Sequence, residues 1–335
     1  MREVATIAGV SPATVSRVLS GLATVHPDHR RRVLEAVERV GYRPNRIAQN
    51  LRRQRAETIG VVVPDIANPH FSEAVSIFEK AAFSKGYRLV LCSTDETVAK
   101  QRAYLQVLAD ERVLGVIVAP ADNRGSGLAH LFDLGVAVVA FDREVDDERI
   151  DAVLCDNTDA TRRATEHLIW LGHRRIAYVG GRHDLETGAA RLAGYTAAMR
   201  SAGLTPFAVD GSFRMAPAER EMRALLALDE RPSAVVVGNN LMTLGVLSAI
   251  RAAEHTVPTD IALVAVDDPP WAALVDPPLT VVAQPVETMA ETAMTLLFER
   301  LEGHRSAAVR AILPLELRIR RSCGMKDAHP DGGTS

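Results

Sequence analysis

The chain has 335 residues, 47% hydrophobic and 24% charged, with a formal net charge of -3. That balance is a globular protein's, long enough for a sizeable core plus a small extra domain. No apolar run approaches the ~20 residues of a membrane span, and MREVATIAGVS lacks the apolar block of a secretory signal. Cys92, Cys155 and Cys323 are scattered, which argues against a disulfide framework and fits a reducing cytoplasm.

Charge is unevenly placed. Through Arg55 there are eleven arginines against four acids, a net of +7, which leaves -10 for the remainder. A basic end on an acidic body suggests one module for a polyanion and another for something else.

In chain order, EVATIA reads as a short first helix. In AGVSPATVSRVLSGL, Gly9 supplies a turn, Ser11 a cap, and Pro12 the first helical position, where its missing N–H costs nothing. Val15, Val18, Leu19 and Leu22 make one apolar stripe. Ala13, Ser16, Arg17 and Ser20 share the opposite face, small and polar apart from one arginine. His26-Pro27 opens a third helix with Val33, Val37 and Val40 as its core stripe and Gly41 at its end. Two helices about a glycine turn, with a third behind, form a helix-turn-helix unit; the spacing alone fits any helical hairpin as well as one that reads DNA. Next comes PNRIAQNLRRQR, residues 44–55, basic and helix-forming, with Ile47, Ala48 and Leu51 its apolar positions. A helix of about ten residues is marginal in water by itself.

The body alternates strand and helix. IGVVVP, YRLVLC, VLGVIVAP and VAVVAF are continuous β-rich runs, followed by a second series, RIAYVGG, SAVVVGN, DIALVAVDD and LTVVAQ. Two such series imply two lobes with parallel sheets covered on both faces. Ligands in such sheets bind beyond the carboxyl ends of strands, where Asp65, Asp142-Arg143, Asn239-Asn240 and Asp267-Asp268 stand. With Phe71, Phe213 or Trp271 to lie against a ring face, they suit a hydroxyl-rich small molecule.

REVATIAGVSPATVSRVLSG and RRRVLEAVERVGYRPNRIAQNLR, then IGVVVPDIANPHF, EHLIWLGHRRIAYVGG and DDPPWAALVDPPLTVVAQP, closely resemble the lactose/galactose repressor (LacI/GalR) family of bacterial transcription regulators. The resemblance covers residues 1 to about 322. It implies an α/β protein: an N-terminal three-helix helix-turn-helix domain (1–44) and hinge helix (45–55), joined to a two-lobed periplasmic-binding-protein-like core (56–322). Lobe 1 is about 57–155 and 285–313, lobe 2 about 156–284 and 314–322, and 323–335 is expected to be a disordered tail. Helix ETMAETAMTLLFERLEG is expected to return to the first lobe. The few residues that precede the first helix in the family are missing, which fits a start placed slightly late or a shorter first helix.

The resemblance also implies the site residues. Pro12, Ala13, Thr14, Ser16 and Arg17 match positions at the DNA major groove. Asn45, Ala48 and Leu51 match the hinge, where two copies fold together in the minor groove and the leucine wedges between base pairs. The physics of the segment agrees: Arg46, Arg52, Arg53 and Arg55 can neutralise phosphates, and apolar wedges are a recurrent minor-groove device. Phe71, Asp142, Arg191, Phe213, Asn239, Asp267 and Gln284 match effector positions. Asn240, His70 and Ala265 depart from the family's usual aspartate, aromatic and glycine, which leaves the ligand's identity open. The implied partners are palindromic operator DNA, a carbohydrate-like effector and a second copy of the chain, with no membrane, cofactor or metal. No leucine or heptad follows Cys323, so a dimer is expected rather than a tetramer. An enzyme reading has little to stand on: Gly180-Gly181 is neither GxGxxG nor a P-loop, no GxSxG is present, and His167 and His173 read as packing or capping residues. A solute-binding protein of the same core fold is the rival reading, but it needs an export signal and no helix-turn-helix.

Overall fold

The computed structural model describes residues 2–19, 25–40, 57–304 and 307–325. Two compact units divide between Ala56 and Glu57. In the first, helices α1 (Arg2–Ala8), α2 (Pro12–Leu19) and α3 (Pro27–Val40) enclose a small core. Val4, Val15 and Val33 are fully buried there, beside Ala5, Ala8, Val18 and Ala36. Gly9 turns the chain between α1 and α2 at φ +59, a left-handed conformation that side chains rarely adopt. Ser11 caps α2, its hydroxyl accepting from Thr14 N at 3.1 Å. The third-helix stripe differs from the sequence reading: Val33 and Ala36 are buried, while Val37 and Val40 are only half-buried. Leu22 and Gly41 lie outside the described residues, as does the whole segment read as a hinge helix.

The second unit holds two six-stranded sheets. The first takes β1 (Thr58–Val63), β2 (Arg88–Ser93), β3 (Gly115–Val118), β4 (Ala137–Phe141), β5 (Asp151–Cys155) and β11 (Arg310–Leu313). Its order is β11-β5-β4-β3-β1-β2, parallel throughout. The second takes β6 (Ile176–Gly180), β7 (Phe207–Asp210), β8 (Ala234–Val237), β9 (Ala262–Val266), β10 (Thr280–Ala283) and β12 (Glu316–Arg318). Its order is β12-β10-β9-β8-β6-β7, with β12 antiparallel at one edge, a departure from the all-parallel expectation. Apart from that edge the two lobes have one topology, and in each the strand order reverses beside the first strand. Crevices at such switch points are where ligands bind in open α/β sheets.

The helices that matter to the site are α4 (Pro69–Ser84), α5 (Val98–Asp110), α6 (Leu128–Asp133), α7 (Asn157–Trp170), α8 (Glu186–Ser201), α9 (Met215–Leu226), α10 (Asn240–Ala252) and α11 (Val286–Leu301). The chain passes between lobes after β5, after β10 and after β11. Helix α11 packs on α4 and on β3, β4 and β5, so it returns to the first lobe as its sequence suggested. One apolar cluster runs through both sheets, from Val61 and Phe141 to Tyr178 and Val264.

The assignment of Cys323 to a disordered tail is corrected here. Cys323 is fully buried, its sulfur 3.3 Å from His167 Nε2. The neighbouring Ser322 hydroxyl donates to Leu263 O at 2.7 Å and accepts from Thr280 N at 2.7 Å, which ties this segment to β9 and β10. A buried polar pair of this kind is held by its hydrogen bonds.

Candidate DNA-reading face and effector cleft

On α2, the apolar side is used up by the core, so the opposite side faces outward. Pro12, Ala13 and Arg17 are exposed or nearly so; Thr14 and Ser16 are partly so. Thr14 also shares a hydroxyl–hydroxyl hydrogen bond with Ser11 at 2.9 Å, so it stiffens the helix start while standing on the outer face. Ala13 and Ser16 are small enough to let a helix approach another surface closely, and Arg17 carries the charge. Asn45, Ala48 and Leu51 lie outside the described residues.

In the core, all seven sequence-predicted effector residues line a single cleft between the lobes. The topology explains the convergence. Phe71 follows β1 in the first turn of α4; Asp142 follows β4; Phe213, Asn239, Asp267 and Gln284 follow β7, β8, β9 and β10; and Arg191 reaches in from α8. Three of these loops turn through left-handed backbone: Asp142 at φ 66, Phe213 at φ 57 and Asp267 at φ 78. Such conformations are uncommon outside glycine and gather where a site needs them.

Each side chain is held by its own partners. The Arg191 guanidinium is buried; Nε donates to Asn157 Oδ1 at 2.7 Å and Nη1 to Gly238 O at 2.6 Å. Both acceptors are uncharged, so its positive charge stays available to the cleft. Asn239 caps α10, its Oδ1 accepting from Met242 N at 2.8 Å while Nδ2 donates to Phe213 O at 3.3 Å. It therefore fixes the Phe213 turn and keeps one N–H for another acceptor. Asp267 is a hub: Oδ2 accepts from Asn240 N at 3.1 Å and Asn240 Nδ2 at 2.8 Å, and Oδ1 from Gln284 Nε2 at 2.7 Å. Gln284 Oε1 is buried without a protein partner. The Phe213 ring lies over Gly181, where a Cβ would stand 2.2 Å from it. Gly181 thus makes room for a cleft wall, and Gly180 for the buried Tyr178 ring.

Among the cleft residues that sequence reasoning passed over, three polar ones shape its wall. His70, noted only as a departure from an aromatic, is buried with Nε2 3.2 Å from Asp142 Oδ1. The contact is a close charge pair without full hydrogen-bond geometry. Burial by itself would lower the imidazole pKa, but Asp142, and Asp267 beyond it, outweigh burial and hold it above its ordinary value. Conversely, burial would raise the Asp142 pKa, while His70, Arg143 and Arg191 together keep it below the usual carboxylate range. Asn68 caps α4 and its Oδ1 accepts from Asn240 Nδ2 at 2.9 Å, a bridge from lobe 1 to lobe 2; the Asn-Pro pair that opens α4 was its legible signal. Glu96, in the turn after β2, also lines the cleft and had no signal in sequence. Of the predicted aromatics, Trp271 packs on the second lobe's core and is not among the cleft residues.

Carboxylates, amides, one open guanidinium and two aromatic rings around a space between two lobes can grip hydroxyls and a ring face. The pKa of the buried Cys155 thiol is pushed up to about 12 by burial and the neighbouring Asp142, far from the thiolate a nucleophile requires. Among the described residues no group of three or more His, Cys, Asp or Glu could hold a metal ion, and no helix is long and apolar enough to cross a membrane.

A helix-turn-helix unit ahead of a two-lobed binding core defines a ligand-responsive DNA-binding regulator. Comparison with known proteins gives the same class. Residues 1–45 match the family model of bacterial regulatory proteins of the lacI family, and residues 165–323 that of a periplasmic binding protein-like domain. The HTH-type transcriptional repressor PurR of Aliivibrio salmonicida is 32% identical over 306 residues, 90% of this chain and 92% of that protein. The lac repressor dimer bound to operator and the anti-inducer ONPF superposes with a TM-score of 0.84 at 28% identity, over 96% of this chain and 97% of that one. A complex of the transcriptional regulator CelR with cellobiose gives 0.73 at 33% identity, over 96% and 98%. The chain belongs to the lacI family of bacterial regulatory proteins. Its function is that of a ligand-responsive transcriptional repressor.

Proposed function

We propose that this repressor binds a palindromic operator as a homodimer and is controlled by an uncharged, sugar-like effector held between its core lobes. The observation that carries the reading is the convergence of Phe71, Asp142, Arg191, Phe213, Asn239, Asp267 and Gln284 on one interlobe cleft. The solved relatives with a bound cellobiose and with ONPF support a ligand of that kind. Pro12, Ala13, Thr14, Ser16 and Arg17 enter the major groove in this scheme, with Arg17 reading base edges. The segment 45–55 serves as the hinge, Asn45 and Ala48 against the backbone and Leu51 as the wedge. The domain limits belong to the same proposal: 1–44 for DNA, 45–55 for the hinge, and a core from 56 that includes Cys323.

Effector binding changes the angle between lobes and hence the spacing of the two hinge segments in the dimer. The coupling needed is modest, since ~1–3 kcal/mol changes operator affinity ~5–150-fold. A thermal-shift screen of sugars on the full chain tests the reading, because a ligand that binds only the folded state raises its apparent stability. A stabilising sugar that also alters operator affinity in a gel shift is the expected result. Stabilisation by no sugar, or by one that leaves DNA binding unchanged, counts against it. Light scattering reports assembly, with a dimer expected and a stable tetramer the contrary result.

A further inference from the structure

We propose that Glu96 is the residue that sets the charge class of the cleft's ligand, admitting uncharged polyhydroxy compounds and excluding phosphate esters. The proposal rests on the reading of the cleft as the effector site.

Three arginines line this cleft, Arg143, Arg191 and Arg214, and arginine in a closed pocket is the usual recognition group for phosphate. Two of the three are already matched. Arg143 donates through Nη1 to Glu96 Oε2 and through Nη2 to Glu96 Oε1, both at 2.7 Å, a bidentate pair whose side chains are only 4% and 11% exposed. Its Nη1 also reaches Pro120 O at 3.1 Å, and the guanidinium stands 5.8 Å from the centre of the Phe213 ring. Arg214 is matched by Asp95, its Nη2 2.5 Å from Oδ1. A fourth arginine, Arg182 of lobe 2, lies 3.9 Å from Glu96 Oε2 and donates to the Glu96 carbonyl at 3.1 Å.

The backbone is shaped to place this carboxylate. Asp95 and Glu96 are consecutive non-glycine residues in the left-handed region, at φ 54 and φ 57. Two such residues in a row are held only where the surroundings over-determine them. Here the surroundings are the arginines: the turn, from lobe 1, is gripped by Arg182 and Arg214 from lobe 2 and by Arg143 from its own lobe. The result gives each cation at this wall its own carboxylate: Glu96 on Arg143, Asp95 on Arg214 and Asp184 on Arg182. His70 and Asp142 form a further matched pair, and Arg191 shares the cleft with Asp142 and Asp267. Arg191 can meet one charge, so a ligand carrying two would have to displace Glu96 from Arg143 or leave its second charge unmatched, and a buried unmatched charge is strongly disfavoured. A neutral ligand makes no such demand.

The test uses inorganic phosphate as the probe, on the full-length chain, read by calorimetric titration and by thermal shift. The wild type is expected to show no saturable phosphate binding in the cleft. Glu96→Gln keeps the shape and one acceptor but frees Arg143, and is expected to gain phosphate affinity by about 10-fold or more. The double variant Glu96→Gln/Arg143→Gln removes both charges and is expected to lose that gain, and its melting curve shows whether the turn still folds with glutamine in place of the glutamate. Phosphate binding by the wild type as tight as by Glu96→Gln would overturn the proposal, as would a gain that persists in the double variant. A wild type that answers to no neutral sugar overturns the effector reading instead, and leaves the phosphate comparison to decide the role of Glu96.

Discussion

Asp267→Ala removes the hub of the cleft, and its cost can be worked from the contacts. Three donors lose a carboxylate: Asn240 N, Asn240 Nδ2 and Gln284 Nε2, at 3.1, 2.8 and 2.7 Å. A hydrogen bond to a charged group contributes roughly 1.5–3 kcal/mol. Relief of a buried charge, and water entering the cleft, offset part of that and bring the sum of three below its low end of roughly 4.5, to about 3 kcal/mol. Alanine in the left-handed backbone of residue 267 adds roughly 1 kcal/mol, because aspartate tolerates that region and alanine does not. The total is about 4 kcal/mol, which at ~2–4 °C per kcal/mol for a unit of this size lowers Tm by roughly 10 °C. Asp267→Asn keeps the backbone preference and one acceptor oxygen and should lose about half as much. Scanning calorimetry of the apo chain measures both, and a sugar titration should show effector binding lost in each. The reasoning fails if Asp267→Ala melts within about 2 °C of wild type, or if Asp267→Asn is the worse of the two.

The other predictions concern DNA and pH. Arg17→Ala should weaken specific operator binding by ~1–3 kcal/mol with relaxed base preference; equal losses on specific and random DNA in anisotropy titrations would reduce Arg17 to a phosphate contact. Leu51→Ala should weaken operator binding while the core still binds effector; unchanged operator affinity would make 45–55 only a linker. His70, whose pKa is raised in the fold, stabilises the core fully below about pH 6.5 and loses that contribution as pH climbs through its folded value. Asp142, whose pKa is lowered, contributes above about pH 4 and loses it as pH falls through its own folded value. The Tm difference between wild type and His70→Gln should therefore be greatest between these limits and shrink toward alkaline pH; a difference that widens there contradicts the pairing.

How much could be read in the sequence follows from where each signal lives. The eight long apolar strands carry their own pattern, and Asp142, Asn239, Asp267 and Gln284 follow four of them, so strand recognition located the cleft; Arg191 on α8 and Phe213 after β7 came as effector positions only from the family resemblance. β7, β11 and β12 are short, largely exposed edges that take their register from a neighbouring strand rather than from periodicity. β5 opens on a fully buried aspartate, Asp151, made tolerable by Arg300 at 2.7 Å, a partner 149 residues away. Glu96 was silent for the same reason: its partners stand 47 and 86 positions on. Cys323 looked like tail because GMKD follows it, whereas its burial is set by β9, β10 and His167. Local pattern reveals elements; tertiary partners decide which polar residues work together.

The central claim is that the interlobe cleft controls DNA binding through the hinge. The most direct measurement is operator affinity, by anisotropy on a site selected from genomic DNA, with and without the stabilising sugar, for wild type and Arg191→Ala side by side. The account predicts a palindromic site whose affinity changes ~5–150-fold with the sugar in wild type, and an Arg191→Ala protein that binds the same site comparably and ignores the sugar. A wild-type affinity indifferent to every cleft-binding sugar, or an Arg191→Ala protein that responds as fully as wild type, would contradict it.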